Sequence, residues 1–298
     1  MAAKTNVTTS AQFTTSAREV DFVSRFADNW DALRNIMGIM RPIRKAPGTK
    51  LVSYKASVDG GLKGGTVAGG DEIPKMKVDP VAYGDIDINK YAKSVTIESV
   101  AKYGADVAVE KTDEAFLVAL QNKVLTDFYT FLGTGTLKVT EKTWQRALAM
   151  AKGKVLDKFA GLDKDVTEVV GFANIIDAYD YLGDKEITVQ TMFGINYVEN
   201  FMGYRTLFLL PEKYIASKKV IALPVENIDL YYVDPSDSDF AKLGLNYTVK
   251  GETNLIGVHV DGDYSRATGD MYAIMGMKLW AEYLDGIAVA TVSVAGAG

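Results

Sequence analysis

Between Asp59 and Asp71 the chain reads Gly-Gly-Leu-Lys-Gly-Gly-Thr-Val-Ala-Gly-Gly, so six of its 27 glycines fall within residues 60–70. Glycine keeps backbone freedom that a helix or strand would have to remove, and this run is too rich in it for either. It offers only Leu62, Val67 and Ala68 for burial. Its flanks are more regular. Lys50 to Val58 alternates in the manner of a strand, and Pro74 and Pro80 keep Asp71 to Pro80 extended. Ile86, Ile88, Val95 and Ile97 suggest strands on either side of Lys90. Residues 50 to 98 therefore read as one two-armed excursion with a glycine tip. Such a hairpin has no core of its own and needs a surface outside itself to lie on.

The rest of the chain can supply a core. Apolar residues are 48% and charged residues 24% of the 298, an ordinary globular composition. A chain of this length hides about 75% of its unfolded surface, enough for one large domain or two modest ones. Residues 1 to 15 are polar and read as an extended arm, with Phe13 as the one large apolar side chain. Ser16 and Glu19 fit a capping box. Phe22, Phe26, Trp30, Leu33 and Met37 then share one helical face, ended by Gly38 and Pro42. Val109, Phe116, Leu120, Val124, Phe128 and Phe131 recur at helical spacing up to Gly133. They predict a spine helix over residues 107–132, about 38 Å long. A second helix is predicted over 140–159, with Trp144, Leu148, Ala151 and Val155 inward, and another over 174–182. Strands are predicted over 168–172, 206–210, 220–223, 228–233, 257–264, 271–277 and 287–294. No internal repeat or dividing linker is visible.

Composition removes most chemistry. Without cysteine there is no disulfide, thiolate nucleophile, zinc finger or iron–sulfur cluster. With His259 as the single histidine, a multi-histidine metal site is excluded and a serine triad would have to pass through that one residue. The glycine run imitates a P-loop at Gly60, Gly65 and Thr66 but lacks the lysine between the last two. His259, Asp261 and Asp263 alternate on one strand face, yet they read as the wet side of a strand entering a turn at Gly262. Asp234, Asp237 and Asp239 lack the glycine and distal glutamate of an EF-hand and read as a solvated acidic turn. No catalytic residue, cofactor or metal is predicted. No apolar run is long enough to span a membrane, and the N-terminus lacks the apolar stretch of a signal peptide, so a cytosol-like compartment is expected.

The net charge of −5 conceals a gradient. Residues 1 to 50 carry eight basic and four acidic side chains, while the remainder carries 25 against 34. The cluster Arg41, Arg44, Lys45 and Lys50 sits just past a predicted helix end, where cations are favoured. It reads either as helix-end preference or as a contact for an acidic partner.

The order of arm, helix, long glycine-tipped hairpin, spine helix and mixed α/β remainder resembles the major capsid proteins of tailed bacteriophages. Their fold is the α+β Hong Kong 97 fold, and the nearest likeness is to phages of Gram-positive bacteria. The stretches that carry it are Asp71-Glu-Ile-Pro-Lys-Met-Lys-Val78, Tyr103-Gly-Ala-Asp-Val-Ala-Val-Glu-Lys-Thr-Asp-Glu114 and Leu223-Pro-Val-Glu-Asn-Ile-Asp-Leu-Tyr-Tyr232. The segment from Tyr272 to Val292, with Lys278 and Gly286, is similar in pattern.

The resemblance implies a non-enzymatic structural subunit that assembles with itself, as hexamers and pentamers, into an icosahedral shell around phage DNA. It implies an arm over 1–49, an extended loop over 50–85, a peripheral domain over 86–139 with 262–298, and an axial domain over 140–261. Inter-subunit contacts are then expected at Arg41, Arg44, Lys45, Leu62, Lys63 and Val67. The expected partners are a separate scaffolding protein, because only a short arm precedes the first helix, a portal, and packaged double-stranded DNA held without sequence reading. The expected location is the virion capsid, assembled in the host bacterial cytoplasm. Some relatives join subunits through a lysine–asparagine bond. Lys63 lies in the corresponding loop, but nothing singles out its partner and no bond is predicted. Two other readings are an encapsulin shell around a cargo enzyme and a soluble α/β enzyme using carboxylates.

Overall fold

Capping residues and the alternation of buried side chains mark where each element begins and what covers it. The computed structural model describes residues 17–55, 79–166, 168–183, 189–192 and 195–293. Helix α1 (Ala17–Met37) turns Phe22, Phe26, Trp30 and Leu33 inward, as their spacing predicts. Ser16 of the expected capping box and the side chain of Met37 lie outside the described residues. Gly38 ends the helix at φ +60°, with its N–H on the Arg34 carbonyl 2.9 Å away. Glycine takes that left-handed conformation without strain.

The chain then enters a strand that the sequence reading did not anticipate, β1 (Met40–Lys45). Next come the hairpin arms, β2 (Leu51–Lys55) and β3 (Asp79–Gly84), paired antiparallel with each other alone among the described residues. The glycine tip, with Leu62, Lys63 and Val67, lies outside the described residues. The excursion is shorter than expected. Residues 88–96 form one strand, β4 (Ile88–Thr96), that runs straight through Lys90. Lys90 is simply one of its exposed alternate positions, so it does not interrupt the strand.

Helix α2 (Ile97–Tyr103) is capped by Thr96, whose Oγ1 accepts the Ser99 N–H at 3.3 Å. After Gly104 comes one π-helical turn, Asp106–Glu110, and then α3 (Lys111–Leu132). The predicted spine is in place, but its first turn is π rather than α. Leu117, Leu120, Val124, Phe128 and Leu132 form its buried face, with Phe116 and Phe131 half-buried beside them. Residues assigned by sequence to the start of the second helix instead form β5 (Leu137–Glu141). Val139 and Thr140 are β-branched and pair parallel with the last strand. Thr143 then caps α4 (Trp144–Ala160).

The remaining elements are β6 (Val169–Asn174), α5 (Ile175–Leu182), β7 (Gln190–Met192), β8 (Ile195–Glu199), β9 (Thr206–Leu210), β10 (Lys219–Pro224), β11 (Ile228–Val233), α6 (Ser238–Ala241), β12 (Thr248–Val249), β13 (Ile256–Asp263), β14 (Thr268–Ala281) and β15 (Ala288–Val292). The helix predicted over 174–182 and the strands predicted beyond residue 160 are present within a few residues. β14 is twice as long as predicted because it serves different neighbours: β4 and β13 along its first part, β11 along its second.

Two sheets result. One has seven strands in the order β5-β15-β10-β6-β9-β8-β7; the other runs β1-β11-β14-β13-β12, with β4 also on β14. Every residue of β6 and β9 is buried, as expected of strands covered on both faces. On one face Leu148, Ala151 and Val155 of α4 meet Val169, Ala173, Leu207 and Leu209. On the other, Phe172 and Phe208 belong to a core shared with Phe22 and Phe26 of α1, Phe128 of α3, and Leu230, Val258 and Met271 of the second sheet.

Candidate assembly surfaces

The basic cluster follows the end of α1, as expected, but on a strand rather than in a helix-capping turn. Arg41, Arg44 and Lys45 lie on β1, a sheet-edge strand, where Pro42 is also tolerated. Its parallel neighbour β11 brings acids alongside. Arg41 Nε donates to Asp229 Oδ1 at 2.8 Å, and its Nη2 to Glu282 Oε2 at 3.3 Å. Partial burial pulls the Arg41 pKa down, but Asp229 and Glu282 outweigh it and hold the pKa above its ordinary value. Arg44 Nη2 lies 3.4 Å from both Asp234 Oδ2 and Asp237 Oδ2. Lys45 Nζ sits 5.1 Å from the Tyr231 ring centre, within cation–π range. The acidic partners of Arg41 and Arg44 are thus residues of the same chain.

Asp234, expected in a solvated turn, is 3% exposed. It accepts from Ser236 N at 2.9 Å, Ser236 Oγ at 2.6 Å and Asn254 Nδ2 at 3.1 Å. Burial raises its pKa, but these hydrogen bonds and Arg44 prevail and hold it below the ordinary carboxyl value. Asp237 caps α6, accepting the Asp239 N–H at 3.1 Å. On β13, His259 Nδ1 is 3.6 Å from the buried Glu19 Oε1. Asp261 accepts the Gly262 N–H, and Asp263 accepts from the backbone and hydroxyl of Ser265. The turn falls at Tyr264–Ala267 rather than at Gly262, which stays in the strand. Among the described residues no group of three or more His, Cys, Asp or Glu could hold a metal ion. No described helix is long and apolar enough to cross a membrane.

A feature that sequence reasoning missed is Asp113, 5% exposed at the start of α3. It accepts Arg18 Nε at 2.5 Å and Nη2 at 2.6 Å and pairs with Lys93, so one carboxylate ties α1, β4 and α3 together. Burial pushes its pKa up, but hydrogen bonds from Arg18 and Lys93 win and leave it below the usual range. The available signal was an acid in the inward register of Phe116, Leu117 and Leu120. Next to this tie, α2 buries no residue and the π turn buries only Ala108. Ile97, Tyr103 and Val107 remain 61%, 57% and 55% exposed, and Tyr264, at the tip of the β13–β14 hairpin, is 99% exposed.

No protein-family model and no curated protein matches the sequence. Solved structures do match in shape. The capsid of cyanophage P-SCSP1u superposes with a TM-score of 0.56 at 7% identity, covering 86% of each chain. The SrpI encapsulin of Synechococcus elongatus PCC 7942 gives 0.53 at 12% identity, covering 88% of each. A virus-like particle from Pyrococcus furiosus gives 0.51 at 14% identity, over 92% of this chain and 100% of the other. At such identities the likeness is one of fold, and it extends over nearly the whole length: the chain has the mixed α+β fold of the Hong Kong 97 type.

Proposed function

We propose that this chain is a major capsid protein, a structural subunit that assembles as hexamers and pentamers into a closed shell around phage DNA. The observation that carries the reading is a likeness to capsid and shell subunits over 86% or more of the chain. The β2–β3 hairpin supports it, since its arms pair with no other strand among the described residues. In this reading Leu62, Lys63 and Val67 of the loop rest on a neighbouring subunit, and Arg41, Arg44 and Lys45 border a second contact. The arm at 1–49, the loop at 50–85, and the peripheral and axial regions are its proposed parts. A scaffolding protein, a portal and packaged DNA are its proposed partners, and the virion capsid, built in a bacterial cytoplasm, its proposed location. The encapsulin neighbour supports a second reading, a shell around a cargo protein.

Negative-stain imaging of the purified protein is the test. Closed shells are expected, containing DNA in the first reading and protein cargo in the second. A compact monomer by sedimentation, with scaffold present, overturns both.

A further inference from the structure

Two of the crossings between the large sheets run side by side as an interrupted ribbon. β10 pairs with β15 as far as Ala222 and Ala288, and β11 pairs with β14 from Ile228 and Ala281. The chain thus leaves one sheet for the other twice, side by side, with the ladder broken between. In that gap sits Asn227, 3% exposed. Its Nδ2 donates to the Tyr283 carbonyl at 2.9 Å, and its Oδ1 accepts the Tyr283 N–H at 2.9 Å. Its own carbonyl accepts the Glu282 N–H at 3.0 Å. Three directed hydrogen bonds therefore clamp one crossing strand to the other. Tyr283 is seated in turn against Phe159, with ring centres 5.3 Å apart. Phe159 also fills the space beside Gly286, where a Cβ would lie 2.4 Å from the ring.

A polar cleft of about 400 Å³ opens beside the clamp, lined by Arg41, Lys164, Glu226 and Glu282 among others. Glu282 lies between Arg41 Nη2 and Lys164 Nζ, both 3.3 Å away and all about half exposed. Such pairs are long and solvated, so they yield easily. The third crossing runs through α3, which packs into the shared core through apolar side chains, is tied to β4 through Asp113 and Lys93, and accepts the Tyr214 hydroxyl on Asn122 Oδ1 at 2.7 Å. Within the paired crossing, the side chain that gives direction is Asn227.

We infer that this crossing is a joint, that Asn227 sets its angle, and that the angle sets the curvature of the assembled shell. The inference rests on the shell reading. Exposed apolar residues that neighbours could cover lie on both sides of the joint: Ile176 on α5 over the seven-stranded sheet, Tyr264 on the six-stranded one. A small rotation at the crossing displaces these distant points relative to each other. A closed assembly needs a fixed rotation between neighbours.

The test is Asn227→Ala, with Asn227→Ser in reserve should the alanine variant fail to fold. Folding is checked by circular dichroism and particle radius by electron microscopy. Wild-type shells are expected in one narrow size class, and the variant is expected to lose that single class. Lys164→Ala with Glu282→Gln, which leaves the clamp intact, should keep it. Folded Asn227 variants that form shells of the wild-type radius overturn the joint and leave the shell reading standing. A wild-type chain that forms no shell removes both.

Discussion

The seven-stranded sheet and the segment Ile97–Glu110 are built on opposite terms. In the sheet, β6 and β9 are buried at every residue, between α4 and α5 on one face and the shared aromatic core on the other. In the segment, the seven residues of α2 and the five of the π turn bury only Ala108. A helix as short as α2 is marginal by itself, since isolated helices below about 12–15 residues barely form in water. Here Thr96 caps it, and no residue of α2 is buried. The comparison separates a region that satisfies its own side chains from one that leaves apolar surface for something else. In the proposed shell, that something is an adjacent subunit.

The contrast can be broken most directly inside the sheet. Phe172 stacks on Phe208 at 5.2 Å and meets Phe128 and Tyr129 edge-on. Phe172→Ala should cost about 4 kcal/mol, the transfer loss plus a cavity in a core that cannot collapse. Urea midpoints measure it, and a loss under about 1 kcal/mol would mean that the sheet is not the self-sufficient half.

The tie beside the exposed segment should come next. Asp113→Ala strands Arg18 and Lys93 together, and breaking a buried ion pair costs about 3 kcal/mol. The same carboxyl predicts an acid dependence. Asp113 and Asp234 hold pKa values below the ordinary 3.8, so their contribution is complete above that value. It is lost as pH falls through the lowered folded values, because the unfolded chain binds protons first. Asp113→Asn should flatten the stability-against-pH curve at its acid end. An unchanged acid limb would remove Asp113 from the account.

The smallest effect on the subunit is expected in the exposed segment itself. Tyr103→Ser with Val107→Ser should alter subunit stability by no more than about 0.5 kcal/mol, as surface changes usually do. Shell yield should nevertheless fall, because those side chains have apolar area to lose only on assembly. Equal losses in subunit and shell would show that the segment is already packed within its own chain.

Much of the architecture was legible without coordinates. Helical spacing placed α1 and the spine, and apolar runs placed β6, β9, β10 and β11, because these periods follow from backbone geometry within a few residues. The misreadings share a cause. β5 was merged into α4 because Thr140 to Thr143 carry no apolar period of their own, and only pairing with β15 makes residues 137–141 a strand. β4 was split at Lys90 because a lysine looks like an interruption until β14 lies beside it. The basic cluster reads from sequence as a helix-end preference or a contact for an acidic partner, because nothing local announces β1.

What the sequence determined by itself was the kind of most elements, the two arms of the hairpin and the exclusion of cysteine and multi-histidine chemistry. These are properties of composition and of neighbouring residues. Tertiary structure alone decided the partners of charge and the joining of the sheets. Arg41 meets Asp229 from 188 residues away, Arg18 meets Asp113 from 95, and Asn227 meets Tyr283 from 56. Each pairing exists because a particular strand or helix became the neighbour of another. That choice is made by the burial of whole faces, to which no single charged or amide side chain contributes a local signal.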